Sequence, residues 1–113
     1  MPASIGNLQS LELLSLSRNS LSGAIPAELG KLKRLVGIWI QSNAFEGPIP
    51  EEFGDFGELR YLWAYDNKLS GGIPEVVAWL PKLVEIKVDR EVLEESTEEV
   101  LMHLKQHLNC LTC

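Results

Sequence analysis

The sequence has little of the material that catalysis or metal binding requires. Its two histidines, His103 and His107, and its two cysteines, Cys110 and Cys113, all lie in the C-terminal tail. A Ser-His-Asp or Cys-His site could therefore form only if the tail folded back over the rest of the chain. Phosphate-binding loops of the GxxxxGK and GxGxxG types are missing as well. These absences predict a protein without enzymatic activity and without a bound cofactor.

Positive charge is also scarce. The net charge is -6, and residues 89–99 contain six acidic residues against the single Arg90, so the rest of the chain is nearly neutral. With no basic stripe to release counterions, nucleic-acid binding is not expected.

The N-terminus lacks the pattern of a signal peptide, and no apolar run approaches the ~20 residues of a membrane span. Direct membrane insertion is not expected, and the cellular location stays open.

The most informative feature is a repeat of 24 residues. Asn19, Asn43 and Asn67 are 24 residues apart, and the glycines and prolines that follow them keep the same step. Four apolar columns share this period. They are Leu11, Leu35, Leu59 and Leu83; Leu14, Ile38, Leu62 and Ile86; Leu16, Ile40, Ala64 and Val88; and Leu21, Phe45, Leu69 and Leu93.

Each repeated position has a physical role. Leu14 and Leu16 alternate with polar or variable positions, which predicts a short strand with one face inward. The asparagines directly follow the predicted strands. A buried amide there can hydrogen-bond backbone groups that have no partner in the sheet. Asn19, Asn43 and Asn67 are therefore predicted to form a ladder. Because one repeat cannot bury its own apolar edge, neighbouring repeats must stack into a solenoid.

The segments LGKLKRLVGIWIQSNAFEGPIP (29–50) and FGDFGELRYLWAYDNKLSGGIP (53–74) resemble the plant-type leucine-rich repeat, LxxLxxLxLxxNxLxGxIPxxLG. The resemblance covers roughly residues 1–90. It implies an α/β solenoid, a right-handed coil with a parallel β-sheet on its concave face and a second set of short strands. It also implies a role like that of the ectodomain repeats of receptor-like kinases and receptor-like proteins, most of which are extracellular at the plasma membrane.

Two domain regions are predicted. Residues 1–95 form the solenoid, with a partial first repeat, three full repeats and a degenerate last one. Residues 96–113 form an amphipathic capping helix and tail, with the helix over about 97–109 and a capping box of Ser96 and Glu99. The array starts within a repeat, so Ile5, Leu8 and Leu14 are expected to be exposed at an uncapped edge, either to water or to another chain. Either the chain is a fragment of a longer receptor-like protein, or this edge is covered by self-association.

The alternating strand positions predict a binding surface on the concave sheet. Trp39, Trp63, Tyr61 and Tyr65 converge on two adjacent strands, and such residues are common at binding hot spots. A protein or peptide ligand is the interpretation, with a polar rim beside it. The rim candidates are Gln41, Arg18, Asp66, Lys87, Asp89 and Arg90. One alternative is that the aromatic residues only stabilise the sheet as cross-strand contacts. The other is that the protein is a structural or assembly module that self-associates through its uncapped N-terminal repeat or its C-terminal helix.

Two further patterns occur near the C-terminus. Trp79 lies in the variable part of its repeat and is expected to pack against the terminal helix. His103, His107, Cys110 and Cys113 are zinc-type ligands, but one continuous helix rarely surrounds a metal tetrahedrally, so no metal site is predicted. The final CLTC loosely fits a prenylation signal but lacks a preceding polybasic run.

Overall fold

A computed structural model describes residues 1–108 as a stack of similar coils. Each coil begins with a three-residue strand, and most continue through a second short strand into a short helix. The first set of strands is β1 (Leu13–Ser15), β3 (Gly37–Trp39), β5 (Tyr61–Trp63) and β7 (Glu85–Lys87). The second set is β2 (Ser22–Ala24), β4 (Ala44–Gly47) and β6 (Lys68–Leu69). The 3₁₀ segments are Ala3–Asn7, Ala27–Lys31 and Glu51–Asp55, and the α-helices are α1 (Glu75–Ala78), α2 (Arg90–Glu94) and α3 (Glu98–His107).

The two sets of strands form two parallel sheets, in the orders β1-β3-β5-β7 and β2-β4-β6. Within the four-stranded sheet each residue lies beside the residue one repeat further along, as Leu14 lies beside Ile38 and Ile38 beside Leu62. The inward residues of the strands therefore form continuous apolar rows through the stack. The fold is the stacked solenoid that the spacing predicts, with parallel strands in sheets, as the resemblance to the leucine-rich repeat implies.

The core runs along the whole stack and contains no buried polar or charged residue among those described. Its largest members are Phe45, Phe53 and Phe56, all 2% exposed or less. Phe53 and Phe56 contact each other with ring centroids 5.1 Å apart. Since each coil is thin, this apolar column is what holds one repeat against the next.

Turns recur at fixed places in the repeat. Gly23, Gly47 and Gly71 have φ of 83°, 80° and 75°, a region that side chains with a Cβ rarely adopt, which explains glycine there. Arg18, Ser42 and Asp66, each just before a ladder asparagine, have φ of 57°, 61° and 57°. The backbone thus leaves β1, β3 and β5 through an equivalent left-handed residue, although none of these three is glycine.

The C-terminal helix differs in detail from the prediction. Helix α3 covers Glu98–His107, and its N-cap is Thr97, whose hydroxyl accepts a hydrogen bond from the Val100 N–H at 3.2 Å. Ser96 is not the cap. Its hydroxyl accepts from the Ile73 N–H and donates to the Val92 carbonyl, both at 2.9 Å, and so joins two earlier segments. Val100 and Leu104 face the core.

The first repeat is better covered than the sequence suggests. Leu14 is only 6% exposed, so the expectation that it lies open to solvent is wrong, because its side chain lies over the row of inward residues. Ile5 is half-buried, whereas Leu8 is 51% exposed. Among residues 1–108, no helix combines the length and apolar character needed to cross a bilayer. Cys110 and Cys113, with Leu111, lie outside the described residues.

Candidate ligand-binding face

Four aromatic side chains lie on strands β3 and β5 of the four-stranded sheet and, for Tyr65, two residues beyond the end of β5. The register places Trp39 beside Trp63, and Tyr61 at the start of β5. Trp39 stacks on Tyr61, with ring centroids 6.1 Å apart and ring planes at 22°. The rings of Trp63 and Tyr65 are tilted, with centroids 6.3 Å apart and planes at 42°. All four are half-buried. We name these four partly exposed side chains the aromatic face.

The Trp39 indole lies over Gly37, two residues earlier on the same strand, because Gly37 has no side chain. A Cβ on Gly37 would come within 2.2 Å of the Trp39 ring atom Cη2 and 2.4 Å of Cζ3. Gly37 is consequently buried, although it occupies an outward-facing position of the strand. The absence of a side chain at Gly37 lets the indole extend along its own strand and reach Tyr61.

Trp63 is held by polar groups of the next strand. Its indole N–H donates to the Glu85 carboxylate at 2.6 Å, and the Lys87 ammonium lies 3.8 Å from the ring centroid. The first contact is a charge-assisted hydrogen bond and the second a cation–π contact, and each favours one orientation of the ring. Trp63 is therefore preorganised, with β7 supplying both restraints.

The remaining rim candidates lie beyond the strand ends. Arg18 and Asp66 are exposed and occupy left-handed backbone positions. Gln41 is half-buried, and its amide oxygen is buried without accepting a hydrogen bond from any of residues 1–108. A buried amide oxygen without a donor is costly, so this atom favours a donor supplied from outside. Arg90, by contrast, begins helix α2.

The repeated asparagines hold the strand exits together. Asn43 donates its amide to the Leu16 carbonyl of the preceding repeat at 2.9 Å, and its oxygen accepts the Leu21 N–H at 3.2 Å. Asn67 makes the same two bonds one repeat later, to the Ile40 carbonyl at 3.0 Å and from the Phe45 N–H at 3.0 Å. Asn19 is exposed, and within residues 1–108 its side chain bonds only carbonyls of its own repeat, those of Leu16 and Ser17.

Trp79 lies away from the aromatic face, at the end of α1. It is 46% exposed, and its ring stacks on His103 of α3 with centroids 4.1 Å apart. The ring centroid of His107 lies 4.6 Å from that of His103. Desolvation against these neighbours, together with the charge of His107, lowers the pKa of His103 below its ordinary value, while a hydrogen bond to the Ala78 backbone opposes the shift. The stack joins α1 to α3.

Sequence reasoning found the aromatic residues but missed two residues that orient them, Gly37 and Glu85. Both belong to the same outward column as Tyr61, which was the available signal. Alternation shows only which side of the sheet a residue faces. It does not show that a tryptophan lies over an adjacent glycine or that its N–H bonds the next strand.

Comparison with known proteins agrees with this geometry. The Leucine Rich Repeat family model matches residues 10–32 and 58–80. No curated protein matches the chain. Among solved structures, the ectodomain of the Arabidopsis thaliana receptor kinase GASSHO1/SCHENGEN3, in complex with CASPARIAN STRIP INTEGRITY FACTOR 2, is 31% identical, with a TM-score of 0.78 over 98% of this chain and 13% of that one.

Two other Arabidopsis complexes are similar. The receptor kinase HAESA, in complex with the peptide hormone IDA and the co-receptor SERK1, is 30% identical, with a TM-score of 0.78 over 97% of this chain and 19% of that one. The BIR3–SERK2 complex is 34% identical, with a TM-score of 0.70 over 79% of this chain and 50% of that one. The chain therefore spans half or less of each solved chain.

The stacked coils and the repeated asparagine bonds define a parallel-sheet repeat solenoid. The family match and these structural similarities place it more narrowly: the chain is a plant-type leucine-rich-repeat protein, similar to receptor-kinase ectodomains.

Proposed function

We propose that the aromatic face binds a protein or peptide ligand and that the protein acts by recognition rather than catalysis. The observation that carries the proposal is a pair of ring contacts on neighbouring coils, in which Trp39 stacks on Tyr61 and Trp63 lies tilted against Tyr65. Aromatic rings with one open side supply large contact area at low entropic cost, which is typical of hot spots. The peptide-hormone complexes among the similar structures support the same class of ligand.

The restraints on Trp39 and Trp63 favour binding over simple sheet stabilisation. A cross-strand pair needs contact, but it does not need the Glu85 hydrogen bond or the Gly37 gap that fix the two indoles. Fixing a side chain before a ligand arrives reduces the entropy lost on binding. The buried oxygen of Gln41 and the exposed Arg18 and Asp66 supply polar groups at the edge.

The test separates binding from folding. Peptides would be selected from a displayed random library on the wild-type protein and their affinities measured by calorimetry. We expect Trp39→Ala and Trp63→Ala each to weaken binding by roughly 30-fold or more, the size of a hot-spot loss. Trp79→Ala is the matched control, because its ring lies outside the aromatic face. Unchanged affinity in the double variant Trp39→Ala/Trp63→Ala, with folding intact, would contradict the proposal.

Gly37→Ala tests positioning without removing a ring. The new methyl group must displace the Trp39 indole, so peptide affinity should fall although all four aromatic residues remain. Gly57→Ala is its control, because a Cβ there would have no atom within 4 Å. Equal affinities in the two variants would show that the orientation of Trp39 is unimportant.

Self-association is the second candidate function. Leu8 and Leu13 are 51% and 58% exposed, and apolar side chains open to solvent can be covered by another copy of the chain. Sedimentation velocity over a wide concentration range tests it. A dimer that Leu13→Ser disrupts would favour assembly, whereas a monomer at every concentration would exclude it.

A further inference from the structure

A second surface lies outside the four-stranded sheet. It is a groove of about 980 Å³ that crosses four successive chain segments, around residues 24–27, 48–52, 71–76 and 95–100. Its volume lies at the upper end of the ~300–1,000 Å³ of ordinary ligand sites. No residue of the four-stranded sheet lines it, so it is separate from the aromatic face.

The charge of the groove has one sign. Among the described residues, its lining contains five glutamates and no lysine, arginine or histidine. These are Glu51, Glu52, Glu75, Glu95 and Glu99, all exposed. They come from three separate parts of the chain, so the groove joins the acidic run near residue 95 to carboxylates from two earlier repeats. Walls of a single charge concentrate the field inside a cleft and attract the opposite charge.

Apolar groups lie between these carboxylates. Val76 is 52% exposed, and Ala24 and Pro48 are exposed beside it. A free metal ion would use only the carboxylates, whereas a polypeptide can also cover the apolar positions. Because the groove continues across several repeats, an extended segment fits it better than a compact side-chain cluster.

We propose that this groove, which we name the acidic groove, binds an extended basic segment of a partner protein. Its lysine or arginine side chains would face the glutamates, and its apolar side chains would cover Val76 and the adjacent Pro48. Two of the glutamates also have structural roles: Glu95 accepts the Gly71 N–H at 2.6 Å, and Glu75 lies in the first turn of α1. The Glu95 contact fixes one wall of the groove, which makes the site partly preformed.

The probe is an acetylated, amidated octapeptide that alternates lysine with alanine and leucine, and calorimetry at low salt measures its affinity. We expect binding that weakens as salt is added, because exposed charge pairs are screened. Glu52→Gln/Glu75→Gln should reduce the affinity roughly fivefold, the expected loss for two exposed pairs. The control is Glu12→Gln/Glu46→Gln, which removes the same charge from exposed positions outside the groove.

Three results would overturn the charge-based recognition that the proposal requires. They are unchanged affinity in Glu52→Gln/Glu75→Gln, an equal loss in the control variant, and equal binding of a peptide in which glutamate replaces each lysine. Val76→Ser distinguishes a polypeptide site from a site for small cations. It should weaken the octapeptide but leave spermine or calcium binding unaffected, and a peptide affinity insensitive to Val76→Ser would exclude the apolar contact. Trp39→Ala should leave octapeptide binding unchanged, so failure here is distinct from failure of the aromatic face.

Discussion

The carboxylate of Asp89 accepts hydrogen bonds from the backbone N–H groups of Asp66, at 2.9 Å, and Asn67, at 3.3 Å. One repeat earlier the equivalent donors, Ser42 and Asn43, bond backbone carbonyls of the next coil at 3.0 and 3.2 Å. In the last coil the chain enters α2 directly after Asp89. The Asp89 backbone carbonyl accepts hydrogen bonds from the Val92 and Leu93 N–H groups of this helix and not from the preceding coil. A side chain thus replaces a backbone acceptor where the repeat ends.

Replacing Asp89 with alanine should lower the free energy of unfolding by about 1–3 kcal/mol, because two backbone donors lose a charged acceptor. Asp89→Asn keeps one carbonyl oxygen and should cost less. Urea denaturation followed by circular dichroism measures the change. Asp55→Ala, at an exposed position, is the control and should stay within ~0.5 kcal/mol of wild type. Equal stability of Asp89→Ala and wild type would show that water replaces the carboxylate.

The asparagine ladder predicts unequal costs for the same substitution. Asn43→Ala removes bonds to the preceding repeat and leaves partly buried groups unpaired, so we expect a loss of about 2–3 kcal/mol. Asn19→Ala removes only exposed bonds within one repeat and should cost less than ~1 kcal/mol. Urea unfolding of both variants tests this. Equal losses would mean that the bonds between repeats contribute little.

The lowered pKa of His103 predicts acid sensitivity. Folding lowers its pKa chiefly by desolvation and then through the charge of His107, so the folded state binds fewer protons than the unfolded state just below pH 6.5. The stability associated with the neutral ring is therefore present above the unfolded pKa and is lost as the pH falls through the folded pKa. Thermal unfolding between pH 7 and pH 5 should show a steeper decline in wild type than in His103→Gln.

An NMR titration of the imidazole signals measures the same effect directly. The His103 midpoint should lie below that of a histidine in a short unstructured peptide. In His107→Gln the midpoint should rise, since one of the two causes is removed. A His103 midpoint that His107→Gln does not move would contradict the contribution of that charge.

Much of this architecture follows from spacing alone. The 24-residue columns predict which residues pair between strands, and the alternation within Leu13–Ser15 predicts that Leu14 faces inward. Such patterns work because a solenoid places equivalent residues side by side. The aromatic residues could be found in the same way, since Trp39 and Trp63 occupy one column.

The features that spacing does not reveal depend on rotamers and on breaks in the repeat. Ser96 and Thr97 are both suitable N-caps, and only the contact of Ser96 with Ile73 shows why Thr97 takes that role. Helix α2 interrupts the last coil where Glu91 occupies the asparagine column, and the loss of an asparagine does not by itself predict a helix. The acidic groove brings together carboxylates from distant segments, and no local pattern indicates that they share one cleft.

The one-to-one strand register also governs how the protein can change in length. Residues 14, 38 and 62 occupy equivalent places in neighbouring coils. An insertion or deletion of one whole coil preserves both sheets and the asparagine ladder, whereas any other length change shifts every later residue out of register. Duplication of a unit would widen the aromatic face by about 4.8 Å, the distance between strands. Its breadth can therefore be adjusted in discrete steps without redesign of the core.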